Sequence, residues 1–142
     1  MKSSEPPKVI LVVEDNPADV TLLQVAYRKY GQLPYRLYSV YDRESALAFL
    51  RQEGMFAGMP RPVLVLLDIG LPTLDGWQVL ETLRATPALA ILPVVMLTGI
   101  MTSRDEEQKA ALQPLACFVK PMQMEAYQPL VEALEKLLRD LR

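Results

Sequence analysis

The chain has 142 residues, 51% hydrophobic and 23% charged, with 15 basic and 17 acidic side chains for a net charge of −2. That length buries a core without staples, the composition is that of a globular protein, and the charge offers no basic field to nucleic acid or an anionic membrane. Histidine is absent, which excludes Ser-His-Asp and Cys-His catalysis and imidazole metal sites, and a lone cysteine, Cys117, excludes an internal disulfide framework.

Residues 1–7 are polar, carry Pro6 and Pro7, and lack the apolar core of a signal peptide; they are expected to form a disordered tail. No run is apolar enough to span a membrane, so a reducing cytoplasm is the expected location. Lys8–Val13 (KVILVV) is a β-branched apolar run ending on Glu14-Asp15 and reads as a buried strand. Asn16 then offers an N-cap, Pro17 a first helical residue, Asp19 a first-turn acid and Gly31 a stop, predicting a helix to about Tyr30. Tyr35–Val40 alternates as a second strand. Residues 43–52 place Ala46, Leu47, Phe49 and Leu50 at helical spacing, ended by Gly54.

A turn-rich connection over 55–62, longer than most, leads to an apolar strand over 63–67 that finishes on Asp68. Pro72 and Gly76 frame a loop, and residues 77–85 read as a helix ended near Thr86-Pro87. Residues 93–97 form a further apolar strand finishing at Thr98-Gly99. Ser103 and Glu106 make a capping-box pattern for a helix to about Gln113, closed by Pro114. The last strand, 115–119, finishes at Lys120-Pro121. Leu130, Leu134, Leu137, Leu138 and Leu141 mark an amphipathic terminal helix, with Pro129 either starting its regular part or kinking it.

Five apolar strands alternating with five helices predict an α/β fold, a parallel sheet covered on both faces. One domain over 8–142 is expected, with no output domain after it. In open parallel sheets ligands bind beyond the carboxyl ends of the strands, and the residues there are Glu14, Asp15, Asp68, Thr98 and Lys120. Like charges held close are costly without a cation, and hard oxygen ligands suit magnesium. Taken singly each residue is ordinary: Asp often caps a loop, Thr often ends a strand, Lys often lies on a rim. Their joint placement asks for a divalent ion and a phosphate-like anion. Trp77 and the methionines read as packing, and the leucines of the last helix as core first.

The segments VVEDNPAD, LLDIGLPTLDG, VVMLTG and FVKP, with the intervals between them, resemble the receiver domain of bacterial response regulators over nearly the whole chain. The resemblance implies a flavodoxin-like sheet in the order 2-1-3-4-5 and a stand-alone response regulator, a signalling protein with only weak self-catalysis. It implies that Asp68 takes the phosphoryl group from a partner histidine kinase. Asp15 and Asp68 would ligate Mg2+ directly, Glu14 through water, and the Gly70 carbonyl would add a ligand. Lys120 would pair with Asp68 and then with the phosphoryl oxygens, Thr98 would hydrogen-bond the phosphoryl group, and Lys120-Pro121 would be a cis peptide. The EDNPADV opening and the long loop before the third strand are similar to receivers that partner phytochrome-type kinases and often form homodimers. Neither nucleic acid nor a membrane is an expected partner.

The chain departs from the family pattern where receivers carry a switch aromatic three residues before the lysine. Cys117 stands there, and Phe118, one residue on, should face the other way unless a bulge intervenes. Gly70 and Pro129 are smaller departures. Competing functions fit less well. An adaptor that ignores phosphate has no need of Asp68, Thr98 and Lys120 together. A haloacid-dehalogenase-type phosphatase wants a second acid where Gly70 stands, and Asp15-Asn16-Pro17 would repel the phosphate of a flavodoxin cofactor.

Overall fold

Strands that are apolar on both faces are stable only between two layers. The computed structural model, which describes residues 8–71 and 74–141, has that arrangement; the tail expected over 1–7 lies outside the described residues. The strands are β1 (Lys8–Val13), β2 (Tyr35–Val40), β3 (Leu64–Asp68), β4 (Val94–Thr98) and β5 (Ala116–Val119). All neighbours are parallel, in the spatial order β2-β1-β3-β4-β5. The helices are α1 (Pro17–Tyr30), α2 (Arg43–Arg51), α3 (Gly76–Ala85), α4 (Ser103–Leu112) and α5 (Tyr127–Asp140). A short antiparallel ladder of Gly70–Leu71 with Leu74–Asp75 follows β3.

Alternation along each strand divides the core. Val9, Leu11, Val13, Val65, Leu67, Val94 and Met96 meet α2 and α3 through Phe49, Leu50, Trp77, Leu80 and Leu83. Ile10, Val12, Leu64, Leu66, Val95 and Leu97 meet α1 and α5 through Leu23, Ala26, Tyr27, Val131 and Leu134.

Several boundaries differ from the sequence reading. β3 and β4 each start and end one residue later, so Asp68 and Thr98 are strand residues, paired with Leu97 and Val119. Helix α2 is capped by Gln52 in the left-handed region (φ 57°), not by Gly54. The capping box of α4 is Thr102 with Asp105, one residue earlier than Ser103 with Glu106. Gly31 is extended, not left-handed; it is required because a Cβ there would strike the Tyr27 carbonyl oxygen. Pro129 is the third residue of α5, where its missing N–H breaks no helical bond. No described peptide is cis, so Lys120–Pro121 is trans, the intrinsically favoured isomer, against expectation. The Lys120 N–H continues the β4–β5 ladder to the Thr98 carbonyl (2.7 Å), which is enough to bring Lys120 beside the strand ends.

Candidate functional site

The ladder register brings three strand ends together. Asp68 closes β3, Glu14 follows β1, and both are only 3% exposed. Lys120 follows β5, and its Nζ pairs with Asp68, with Glu14 Oε2 at 2.7 Å and with Asp19 Oδ2 at 2.9 Å. Glu14 Oε1 accepts the Asn16 N–H at 3.1 Å, which ties the carboxylate to the N-cap of α1. Gly76, opening α3, abuts the same strand end. A Cβ there would lie 2.5 Å from the Asp68 carbonyl oxygen and 3.0 Å from Ile69 Cα. The loop after Asp68 can therefore turn back tightly only with glycine at this position.

Three carboxylates share one ammonium. Burial alone would lower the Lys120 pKa, but Asp68, Glu14 and Asp19 outweigh it and hold the ammonium above the usual lysine value. Glu14 is pushed up to about 7 by its burial first and by the neighbouring Asp68 next, with Lys120 and Asn16 offsetting only part of this. The crevice thus holds more negative charge than its own lysine neutralises, and hard carboxylate oxygens supply that excess. Such a donor set fits a divalent cation. Among the described residues, no three acidic or thiol side chains converge as a chelate by themselves.

The expected residues are placed as follows. Glu14, Asp68 and Lys120 are in direct contact. Asp15, half-buried, begins the β1–α1 loop, and Gly70 lies two residues past Asp68 in the short ladder with Asp75. Thr98 is buried at the end of β4, and its Oγ1 donates to the Ile100 carbonyl at 3.0 Å, so its own loop engages the hydroxyl. The third carboxylate on Lys120 is Asp19, which the sequence offered only as a helix-terminal charge; nothing local announces a partner 101 residues away. Tyr127, buried at the start of α5, also lines the crevice and was not foreseen.

No bulge rescues the missing aromatic. Met96 pairs with Cys117 and Leu97 with Phe118 in unbroken register. Cys117 packs on the α2/α3 face, with its Sγ 3.5 Å from Met101 Sδ, whereas Phe118 packs on the α1/α5 face.

With that geometry in view, the likenesses to known proteins are specific. The family model described as the response regulator receiver domain matches residues 10–133. Response regulator Rcp1 of Synechocystis sp. is 44% identical over 108 residues, 76% of this chain and 71% of that protein. The crystal structure of the phosphorylated cyanobacterial phytochrome response regulator RcpA superposes with a TM-score of 0.82 at 34% identity, covering 92% of this chain and 93% of that one. The Mn2+-bound form of Rcp1 gives 0.79 at 36% identity, covering 91% and 92%. The family match over most of the length, the sheet order and the acid–lysine crevice agree: this chain belongs to the response regulator receiver domain family.

Proposed function

We propose that this protein is a response regulator which accepts a phosphoryl group on Asp68 from a partner histidine kinase, in a magnesium-dependent reaction, and signals by conformational or oligomeric change. The observation that carries the reading is the buried Asp68 carboxylate at the end of β3, paired with Lys120 and crowded by Glu14. An Asp68 oxygen attacks phosphorus as the bond to the kinase imidazole nitrogen breaks, so one P–O bond replaces one P–N bond and imidazole leaves. Such transfer needs mainly positioning and charge neutralisation. Lys120 follows the charge from the unmodified Asp68 carboxylate onto the phosphoryl oxygens. Thr98 exchanges the Ile100 carbonyl for a phosphoryl oxygen.

Asp15, Asp68, Glu14 and the Gly70 carbonyl would hold Mg2+, with Asp15 and Asp68 as the expected direct ligands. The bound ion supplies neutralisation of the anionic oxygens that one ammonium leaves uncompensated. The manganese-bound Rcp1 structure supports a divalent ion here, and the phytochrome response regulators support a phytochrome-type kinase as donor. A cytoplasmic location fits such a donor, and no described helix is long and apolar enough to cross a membrane. A homodimer is the expected assembly.

The test is intact mass after incubation with magnesium and acetyl phosphate, or with a phosphorylated histidine kinase. The wild type is expected to gain one phosphoryl group and Asp68→Asn none. A phosphoryl group on Asp68→Asn, or no gain by the wild type, would overturn the reading.

A further inference from the structure

Helices α1, α2, α3 and α5 are held to the sheet by several buried apolar side chains each. Helix α4 is different: Leu112 at its end packs only partly buried on the core, and its one buried side chain is Asp105. A carboxylate does not stay buried for hydrophobic reasons, so its partners explain it. Asp105 Oδ1 accepts the Trp77 indole N–H at 2.9 Å, and Oδ2 accepts the Thr102 N–H at 2.9 Å. The Asp105 N–H in turn donates to Thr102 Oγ1 at 3.2 Å, closing the capping box. Burial opposes ionisation of this carboxyl, but the donors from Trp77 and Thr102 hold it below the usual carboxylate range. A second strap runs outside, from Arg104 Nη2 to Asp75 Oδ2 at 3.0 Å, while Asp75 Oδ1 caps α3 through the Trp77 N–H.

These straps join two places that both lead to the acceptor. Trp77 is 1% exposed and follows Gly76, whose backbone lies against Asp68. Thr102 is separated from Thr98 by only Gly99, Ile100 and Met101, and Thr98 bonds to that loop through Ile100. Turning the Thr98 hydroxyl toward a new anion on Asp68 gives up the Ile100 carbonyl and so releases these three residues to rearrange. Their far end is fixed at Thr102, through Asp105, to Trp77.

We propose that the Asp105–Trp77 hydrogen bond is a latch that holds α4 in the unloaded arrangement, and that loading of Asp68 works against it. Resting on the acceptor reading above, this assigns Asp105 and Trp77 as positioning residues that set how easily the site switches. It also provides a route from Asp68 to the surface that does not use the position occupied by Cys117. A contact made only in the unloaded state raises the cost of loading, so removing it tightens the loaded complex by linkage.

The test is the affinity for beryllofluoride with magnesium, read from the 19F signal of the bound ion, in wild type, Trp77→Phe and Arg104→Ala. Trp77→Phe keeps a ring in the core and removes the N–H; on the order of tenfold tighter binding is expected from one hydrogen bond to a charged acceptor. Arg104→Ala, an exposed change, is expected to tighten binding by a smaller factor. Trp77 is the only tryptophan, so its single indole N–H resonance in the wild type should exchange faster with water once the site is saturated. Equal or weaker binding by both variants, or an indole signal unchanged at saturation, overturns the latch while leaving the acceptor reading intact. No binding by the wild type overturns the acceptor reading and the latch with it.

Discussion

Glu14 is the residue where charge crowding in the crevice is most visible. Its two oxygens are both engaged, by Asn16 and Lys120, yet its carboxyl is raised from 4.5 to about 7 because burial and Asp68 dominate. A raised acid binds its proton more tightly in the folded than in the unfolded chain. Its contribution to stability is therefore full below about 4.5 and is lost as pH rises through about 7. In magnesium-free buffer the wild type is expected to lose stability across that window relative to Glu14→Gln, measured as urea midpoints at several pH values. Parallel profiles for the two proteins would contradict the crowding. The placement of Asp68, Thr98 and Lys120 at or just past strand ends was legible in the sequence, because such ends of a parallel sheet fall on one edge. Asp19 was not, since whether a first-turn acid faces solvent or a lysine depends on where α1 docks.

At the scale of elements, α5 does more than bury its leucine stripe. Glu135, 3% exposed, accepts the N–H groups of Gln32 (2.8 Å) and Leu33 (2.6 Å), satisfying backbone donors just past the end of α1. Glu135→Ala leaves those donors without their acceptor and is expected to cost about 2 kcal/mol of unfolding free energy. Glu135→Gln, which keeps an acceptor oxygen, should recover part of that loss; an Ala variant as stable as the wild type would refute the role. The amphipathic pattern identified α5 as a helix but not this partnership, because a Glu among surface-type residues carries no mark of burial. The same holds for α4, whose capping box was read one residue late. Ser103 with Glu106 and Thr102 with Asp105 are equivalent patterns in sequence, and the indole of Trp77, 28 residues away, selects the second.

Across the whole molecule, the parallel sheet was legible because its central strands are apolar on both faces, and only a two-sided cover satisfies them. The order β2-β1-β3-β4-β5 came with the family resemblance, and it sets β1 and β3 side by side so that Glu14 and Asp68 meet. The Cys117 departure was also readable, since strand alternation admits no other placement in an unbroken register. The trans Lys120–Pro121 bond was not, because the isomer preference of an X–Pro bond is small and context decides it. At the sheet's carboxyl edge the molecule assembles two buried carboxylates, Glu14 and Asp68, and the proposed function makes Asp68 the one that becomes an acyl phosphate. The most direct test is borohydride trapping of protein loaded with acetyl phosphate and magnesium, followed by peptide sequencing by mass spectrometry. Reduction of an aspartyl phosphate leaves homoserine, and homoserine at position 68 alone is the expected result. Homoserine at position 15 or 19, or none in fully loaded protein, would contradict Asp68 as the acceptor.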